Sequence, residues 1–325
     1  PPTMRRLGHG VGTALGTAVF PMFGWRRSDS SRCETVKMQG HEWPAPSHHR
    51  FSMESAARCV SKSLPRKPQA PVRHDCGDDA FFFTSLKERI TIGVADGVSS
   101  WQRYGVNPAL FAWELMVRCE EVASSSGKFE VVDLMTAGFE KAIGSQDGSL
   151  MGSTTACLAS LHCDKGLLDV ANLGDSGALV IQPDGKVILE TKEQQHYFNC
   201  PYQLVCLPVT QRTGLAGGDL PASSDKYTTQ VRIGDILVFA TDGFFDNVWK
   251  EKAVEVIVEM GAQQAPVTEI ASRLVQMAYS SSRNPGEESP FAQAAAAHGF
   301  RHRGGKPDDI TVLVARVISG TVSHS

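Results

Sequence analysis

The sequence predicts an α+β fold in which one β-sheet packs against another and helices lie outside both sheets. The prediction rests on the order of elements, because helices come in pairs between runs of strands and do not alternate with single strands. That order argues against a doubly wound parallel sheet. In a chain of 325 residues, a hydrophobic content of 42% is enough for a sizeable core.

Two paired strands and two helices are expected first. Asp79–Ser85 and Arg89–Ala95 are apolar runs joined by a polar turn, a pattern that indicates a strand pair. Pro108–Ser124 carries apolar residues at helical spacing, and Asn107 suits an N-cap followed by proline at the first helical position. A second helix is predicted over Phe129–Ile143.

A run of six strands, two helices and a final strand follow. The predicted strands are Thr154–His162, Leu167–Leu173, Gly177–Ile181, Lys186–Leu189, Lys226–Ile233 and Asp235–Thr241. The helices are predicted over Glu251–Met260 and Val267–Tyr279, and the last strand over Ile310–Val317. Ser280–Gly305 is expected to be a loop, interrupted by the alanine-rich turn Phe291–His298.

The first 71 residues differ in composition from the rest. Five arginines and only one carboxylate, Asp29, precede Glu34, and Leu7–Trp25 has no charged side chain. This composition is typical of a flexible leader or an organelle-targeting segment. A membrane span is a third interpretation, which the glycines and Pro21 disfavour. His41–Pro71 is interpreted as a linker, so residues 72–325 are predicted to form the folded domain.

Charge and cysteine content exclude some classes of protein. The chain has 32 Lys and Arg against 35 Asp and Glu, for a net charge of −3, which argues against a broad basic surface for nucleic acid. None of the eight cysteines forms a Cys-x-x-Cys pair. Several lie in apolar segments, so buried free thiols and a reducing compartment are expected.

Aspartates recur at the ends of predicted strands. Ile92–Val98 is an apolar run that stops at Asp96-Gly97, and Ile236–Gly243 repeats the pattern at Asp242. The pairs Asp78-Asp79 and Asp308-Asp309 each precede an apolar run. Each site alone would be interpreted as a solvated turn or a cap. Four together indicate a cluster of hard oxygen ligands that suits Mg²⁺ or Mn²⁺.

Two hard cations held by aspartates form a site for phosphoryl transfer, in which a metal-activated water attacks in line. Asp96 is the candidate to bridge the ions, and Asp79, Asp242 and Asp308 would complete the coordination. Asp78 would act directly or through water. Gly97 lets its carbonyl approach an ion, because it has no Cβ.

A second group of residues surrounds glycines between strands, at Gly152–Thr155 and Asn172–Gly177. Glycine permits a tight bend close to other backbone. Asp175 could join the carboxylate cluster from a neighbouring strand, and a plain hairpin is the alternative.

These motifs, in this order, resemble the metal-dependent Ser/Thr protein phosphatase family (PPM, type 2C). The resemblance covers Cys76–Val317. It implies a four-layer α-β-β-α sandwich of two mainly antiparallel sheets, with a binuclear Mn²⁺ or Mg²⁺ centre between them. A closer resemblance is to the organelle-type subfamily. The stretches that carry it are Gly97–Trp101, Tyr104–Pro108, Gln195–Leu204, Ser289–Gln293 and Gly304–Asp309.

The resemblance assigns the metal ligands residue by residue. It places the acidic pair at Asp78-Asp79, and the bridging aspartate with its following carbonyl at Asp96 and Gly97. Later ligands fall on Asp242 and Asp308, with Asp309 where many members have asparagine. Asp175 falls on the residue linked to a third, weaker ion.

Two positions depart from the family pattern. The histidine proposed as general acid is Val98 here, and the arginine that grips phosphate is His74, with Arg73 beside it. A metal-bound water could then donate the proton. Arg73, His74 or Lys306 could supply positive charge to the phosphate.

The loop Glu193–Leu207 falls where the family has a flap beside the active site. His196, Tyr197, Phe198 and Tyr202 could contact substrate or a partner. The alternative is that these side chains pack the flap onto the sheet, above all Phe198 and Tyr202.

The sequence therefore predicts a Mn²⁺- or Mg²⁺-dependent phosphatase that acts on phosphoserine and phosphothreonine in proteins. The alternatives are a catalytically weak or inactive binding module with the same fold, and a small-molecule phosphatase. We expect phosphoprotein substrates, no nucleic acid, no stable membrane span and a monomer. The expected location is mitochondrial, with plastid and cytoplasm as alternatives.

Overall fold

A computed structural model describes residues 50–63, 70–125, 129–144, 150–208 and 218–320. The arginine-rich leader and the uncharged stretch Leu7–Trp25 lie outside these residues. No helix within the described residues has the length and apolar character needed to cross a bilayer.

The described residues form fourteen strands and six α-helices, with 3₁₀ turns at Ser99–Tyr104 and Pro221–Ser223. The strands are β1 (Arg50–Val60), β2 (Asp79–Ser85), β3 (Arg89–Asp96), β4 (Gly152–Thr154), β5 (Ala156–His162), β6 (Leu167–Leu173), β7 (Gly177–Ile181), β8 (Val187–Glu190), β9 (Gln195–Tyr197), β10 (Cys200–Pro201), β11 (Leu204–Cys206), β12 (Asp225–Gln230), β13 (Ile236–Ala240) and β14 (Ile310–Gly320). The helices are α1 (Pro108–Ser125), α2 (Val131–Gly144), α3 (Asp242–Phe245), α4 (Lys250–Ala262), α5 (Val267–Ser282) and α6 (Pro290–Ala297).

Ten of the strands form two five-stranded sheets. The first sheet has the order β1-β14-β13-β7-β8, and the second has the order β12-β6-β5-β3-β2. Every pairing within both sheets is antiparallel. The predicted α+β sandwich of two antiparallel sheets flanked by helices is confirmed.

The sheets face each other across an apolar core. Ile90, Ile92 and Val94 of β3 point into it from the second sheet, and Leu237 and Phe239 of β13 point into it from the first. Alternate side chains of the same strands face the helices, because successive residues of a strand point to opposite faces. Since both faces of these strands are buried, their sequences are nearly continuous apolar runs.

The helices cover the outer faces. Helices α1 and α2 pack on the second sheet, with Phe111, Trp113 and Leu134 fully buried. Helices α4 and α5 pack on the first sheet. The predicted N-cap of α1 is confirmed, because the Asn107 side-chain oxygen accepts a hydrogen bond from the Ala109 amide at 3.3 Å.

The structure corrects the start of the folded domain. Residues 50–60 were expected within a linker, but they form β1, which pairs with β14 from Arg50 opposite Gly320 to Val60 opposite Ile310. Only Met53 of β1 is fully buried, so the strand lacks the strong apolar alternation by which strands are recognised. Its stability comes from the long partner strand.

Two smaller corrections concern element boundaries. The strand expected over Thr154–His162 is divided at Thr155 into β4 and β5. The Thr155 amide still donates to the Asp96 carbonyl at 3.0 Å, in the register of the β3–β5 pairing. The alanine-rich turn at Phe291–His298 is the helix α6. The Ser289 hydroxyl caps this helix by accepting from the Ala292 amide at 3.1 Å.

The cysteines were expected to be free thiols, and one pair is not. Cys59 at the end of β1 and Cys76 just before β2 form a disulfide, with Cα atoms 5.3 Å apart. The pairing depends on the position of β1, which the sequence did not reveal. Of the other described cysteines, Cys119, Cys157, Cys163 and Cys206 are buried, as expected, whereas Cys200 is half-buried.

Candidate metal centre

Strands of both sheets end at one edge of the sandwich, where the aspartates lie. Asp79 and Asp96 stand directly opposite each other in the β2–β3 ladder of the second sheet. From the first sheet, the Thr241 hydroxyl donates to Asp79 Oδ2 at 2.9 Å. This hydrogen bond joins the end of β13 to the start of β2, so Asp242 lies beside the Asp79–Asp96 pair.

Asp96 is held by the segment that links β4 to β5. Its carbonyl accepts hydrogen bonds from the Thr155 amide at 3.0 Å and from the Thr154 hydroxyl at 2.8 Å. The Asp96 amide donates to the Thr155 hydroxyl at 3.1 Å. Thr155 and Ser176 share a further hydrogen bond of 2.8 Å, which links this segment to the turn that carries Asp175. The Gly-Ser-Thr-Thr motif therefore fixes the backbone of Asp96.

Two close approaches of backbone surround the aspartates. A Cβ on Gly97 would lie 2.6 Å from the Pro108 carbonyl oxygen and 2.7 Å from that of Asp78. A Cβ on Gly243 would lie 2.0 Å from the Asp309 carbonyl oxygen. Only glycine allows these contacts, because real Cβ atoms do not come this close to another backbone. The glycines thus let the segments that carry the aspartates converge.

Lys306 lies among the carboxylates. Its Nζ is 2.6 Å from Asp242 Oδ2, 2.6 Å from Asp246 Oδ2 and 3.3 Å from Asp308 Oδ2. The ring of Phe291 covers the ammonium group, with 4.9 Å from Nζ to the ring centroid. The predicted proximity of Lys306 to the aspartates is therefore a feature of the structure, but its charge is directed at carboxylates.

Lys62 is a second lysine at the site, and sequence reasoning missed it. Its Nζ contacts Asp308 Oδ1 at 2.8 Å and Ser99 Oγ at 2.7 Å, and its amide donates to Asp309 Oδ1 at 2.7 Å. Lys62 lies two residues after the end of β1, in a segment that had been interpreted as linker. Recognition of β1 as a strand would have been the signal, since the end of β1 leads into the site.

Asp78 and Asp309 hold the segments around the site together. Asp78 Oδ2 accepts from the Ser99 hydroxyl at 2.8 Å and from the Gln102 amide group at 3.0 Å. Asp309 Oδ2 accepts from the Asp78 backbone amide at 2.9 Å. These two residues of the acidic pairs therefore serve in part as backbone anchors.

Burial and mutual repulsion shape the protonation of the cluster. Burial raises the pKa of the Asp79, Asp96 and Asp175 carboxyl groups, and neighbouring carboxylates raise it further. Burial acts in the same direction on Asp242, but the Lys306 ammonium, a hydrogen bond with Asp96 and the charge of Lys62 together hold the pKa of Asp242 below its ordinary value. Negative charge is thus only partly compensated by the two lysines.

The donor set fits a divalent cation. The Oδ1 atoms of Asp79, Asp175 and Asp242 are buried and have no hydrogen-bond partner among the described residues. Unpaired buried carboxylate oxygens that repel one another are the ligands that hard cations prefer. Within the same residues, no three Asp, Glu, His or Cys side chains are already arranged as a finished metal cage. Instead, Lys62 and Lys306 bind several of the carboxylates.

The two other predicted phosphate-binding residues are directed elsewhere. Arg73 forms an ion pair with Glu120 of α1. The His74 ring stacks on Phe81 with centroids 5.2 Å apart and also contacts Trp113. Neither has a described contact with the aspartates, because the chain just before β2 runs along α1.

The flap expected at Glu193–Leu207 contains the short strands β9, β10 and β11, and β11 pairs with β4. His196 stacks on Tyr202 at 4.3 Å, and Phe198 lies among Phe291, His298 and Phe300. Tyr202 packs against the core of the second sheet, as the alternative interpretation held, whereas Phe198 packs on α6 and the residues that follow it. Tyr197 is 72% exposed.

A sandwich of two antiparallel sheets with buried aspartates at one edge is the arrangement that the sequence motifs implied for a protein phosphatase. The sequence profile of the family described as Stage II sporulation protein E (SpoIIE) matches residues 129–318, more than half of the chain.

Known proteins support the same class. Protein phosphatase PTC7 homolog from Xenopus laevis is 38% identical over 249 residues, which cover 75% of this chain and 82% of that protein. The PTC7 homolog from Homo sapiens is 37% identical over 249 residues, with 75% and 81% covered. The solved structure of the photosystem II phosphatase PBCP matches with a TM-score of 0.66 and 30% identity, covering 82% of this chain and 98% of that one. The chain belongs to the PP2C-type family of serine/threonine protein phosphatases.

Proposed function

We propose that the protein hydrolyses phosphoserine and phosphothreonine in phosphoprotein substrates at a centre of two Mn²⁺ or Mg²⁺ ions. The observation that carries the proposal is the facing pair Asp79 and Asp96 beside Asp242, all at the edge where the two sheets meet. Asp79, Asp96, Asp242 and Asp308 would hold the ions, together with the Gly97 carbonyl. Asp78 would contribute directly or through water.

When bound, such ions neutralise phosphate oxygens and lower the pKa of a water that attacks phosphorus. The chain's own residues prepare the site for this chemistry. Thr154 and Thr155 hold the Asp96 backbone, which keeps its carboxylate opposite Asp79. Burial of Asp79 and Asp242 keeps bulk water from their carboxylates, which strengthens their interaction with a cation.

Lys62 is the residue that we propose to direct positive charge at the substrate phosphate. Its ammonium pairs with carboxylates, as that of Lys306 does, at 2.8 Å from Asp308 and 3.3 Å from Asp309. Its side chain is more exposed, however, at 22% against 16% for Lys306. This role was expected of Arg73 or His74, which pack against α1 and Phe81. Val98 has no ionisable side chain, so the proton for the leaving oxygen would come from a water at the centre.

Hydrolysis of a phosphothreonine peptide with added Mn²⁺ tests the proposal. We expect turnover by the wild type that EDTA abolishes and Mn²⁺ restores. Asp96→Ala and Asp242→Ala should each reduce kcat/KM by at least about 100-fold, the scale of losing one group that stabilises charge in the transition state. Asp164→Ala is the matched control, because Asp164 is an exposed aspartate in the β5–β6 turn. Full activity in EDTA would contradict the mechanism.

A binding module without activity is the second candidate. The observation that favours it is the pair of lysines, which already neutralise part of the carboxylate cluster. Under this hypothesis the wild type does not hydrolyse the phosphopeptide with any divalent ion, although it still binds the peptide. A small-molecule phosphatase would share the site and would differ by hydrolysing a small phosphate ester faster than the phosphopeptide.

For the location, we propose the mitochondrion. The support is the leader composition, with five arginines ahead of Glu34 and a single aspartate among them. A fusion of residues 1–71 to a fluorescent protein would test it. Fluorescence confined to the cytoplasm or to plastids would refute the mitochondrial proposal.

A further inference from the structure

We propose that Lys306 is a built-in cation. Its ammonium occupies a space between Asp242, Asp246 and Asp308 that would otherwise bind a further divalent ion beside the two proposed above. The natural chain then binds one ion fewer than its aspartates could hold. The inference rests on the proposed metal centre, but it does not depend on phosphatase activity.

The contacts of Lys306 are those of a site cation. Its Nζ is 2.6 Å from carboxylate oxygens of Asp242 and Asp246 and 3.3 Å from one of Asp308. An ammonium group has three hydrogens to donate. Asp242 and Asp246 each accept a hydrogen bond from it, and Asp308 lies at ion-pair distance, so the charge of Lys306 is directed at carboxylates. The predicted role of Lys306 in phosphate binding is replaced by this one.

The backbone of Lys306 is attached to the segment that supplies two of these carboxylates. The Lys306 amide donates to Asn247 Oδ1 at 2.8 Å, and Asn247 Nδ2 donates to the Lys306 carbonyl at 2.9 Å. Asn247 follows Asp246 directly, and its Nδ2 also donates to the Gly243 carbonyl at 2.9 Å. These bonds fix the lysine relative to Asp242 and Asp246. Its side chain is 16% exposed, so little water competes for the ammonium.

The surrounding acidic groups outnumber the lysine. Besides the three contacting carboxylates, Asp175 and Glu193 lie close enough to Lys306 to interact with its charge. The Oδ1 atoms of Asp175 and Asp242 are buried without a hydrogen-bond partner among the described residues. If the charge of Lys306 were removed, Asp175, Asp242 and Asp246 would share a partly buried space, with Lys62 beside Asp308 as the remaining lysine. Oxygen donors in that arrangement bind Mn²⁺ or Mg²⁺.

This arrangement gives Asp175 a different role from the one that the sequence implied. The resemblance linked Asp175 to a third, weaker ion, but the Lys306 ammonium supplies the positive charge in this region. A lysine is present at every metal concentration. The charge of Asp242 and Asp246 is therefore balanced even when no ion is available.

The test counts the Mn²⁺ ions bound to the full chain by equilibrium dialysis and elemental analysis, at graded Mn²⁺ concentrations. Lys306→Met keeps an unbranched side chain, one atom shorter, and removes the charge, and it should bind one more ion per chain than the wild type. Lys306→Arg keeps the charge and should bind the wild-type number. Lys252→Met is the matched control, because Lys252 is an exposed lysine of α4 that pairs with Glu255 at 3.0 Å. An equal count for the wild type and Lys306→Met would overturn the proposal.

A second variant locates the added ion. Asp246→Asn in the Lys306→Met background should lose the extra ion, and its retention would overturn the assignment of the cage.

If Lys306→Met is unfolded without metal, the Tm with and without Mn²⁺ replaces the count of bound ions. Mn²⁺ should then raise the Tm of the variant more than that of the wild type, and an equal rise would overturn the proposal. A wild type without phosphatase activity would refute the proposed function and leave this comparison intact.

Discussion

Replacement of Gly97 by alanine perturbs the point where the aspartate segments meet. The new Cβ would lie 2.6 Å from the Pro108 carbonyl oxygen and 2.7 Å from that of Asp78. Both neighbours are backbone atoms, and neither can rotate away as a side chain would. Asp78 O also accepts the Gly97 amide at 3.1 Å, so any shift disturbs the alignment of β2 with β3.

The size of the effect follows from these contacts. Forcing an extra methyl group into a packed interior costs about 1–3 kcal/mol in the free energy of unfolding. For a domain of this size, each kcal/mol lowers Tm by about 2–4 °C. Because Asp96 is the neighbouring residue, the shift also moves a proposed metal ligand. A displacement of the order of 1 Å at a catalytic group lowers rates by about 100-fold.

Thermal melting and phosphopeptide kinetics check this prediction. Gly97→Ala should lower Tm, reduce kcat/KM by roughly 10- to 100-fold and raise the Mn²⁺ concentration that gives half-maximal activity. Gly261→Ala is the control, since a Cβ there meets only Ile236 Cδ1 at an ordinary 3.5 Å. That change within α4 should stabilise the protein slightly. The reasoning is refuted if Gly97→Ala matches the wild type in both Tm and kcat/KM.

Two further predictions concern the cysteines. Reduction of the Cys59–Cys76 bond, which spans 17 residues, should lower the free energy of unfolding by roughly 3 kcal/mol, because the unfolded chain regains loop entropy. Thermal melting with and without a dithiol measures this difference. The control is a Cys59→Ser/Cys76→Ser protein, whose Tm should not change when the dithiol is added. An unchanged wild-type Tm would contradict the prediction. Burial raises the pKa of the Cys119 thiol to about 12, so this residue should resist alkylation in the folded protein while half-buried Cys200 reacts. Mass spectrometry reads out both sites, and modification of Cys119 at the rate of Cys200 would refute the burial argument.

The strands that the sequence predicted are those whose local pattern is strong. Ile236–Ala240 is buried at every position, and its apolar run stops at a threonine and an aspartate. Strand β1 was missed for the opposite reason. Its side chains are mostly half-buried, and it is held by pairing with β14, a partner more than 200 residues away in the chain. A pairing at that distance leaves no local signal.

In the candidate site too, the residues with a local sequence signal were predicted, and those whose place depends on distant segments were missed. Asp96 and Asp242 were identified because an apolar strand that ends in Asp-Gly is a local feature. Lys62 was missed because its place depends on β1. Arg73 was expected near the phosphate because of its distance along the chain from Asp78, but Glu120 of α1 binds its side chain. The closeness of Arg73 to Asp78 in the sequence therefore did not predict where the long, flexible side chain of Arg73 points.

By itself, the sequence determined the class of fold, the order of most strands and helices, and the aspartates at their ends. Those features follow from the period of apolar residues and from short motifs, which act within a few residues. The tertiary structure alone decided how the charges are paired. Lys306 was known to be close to Asp308 in the chain, but its contacts with Asp242 and Asp246 arise where the two segments meet. Electrostatic interactions act through space, so the balance between carboxylates and lysines exists only in the folded molecule.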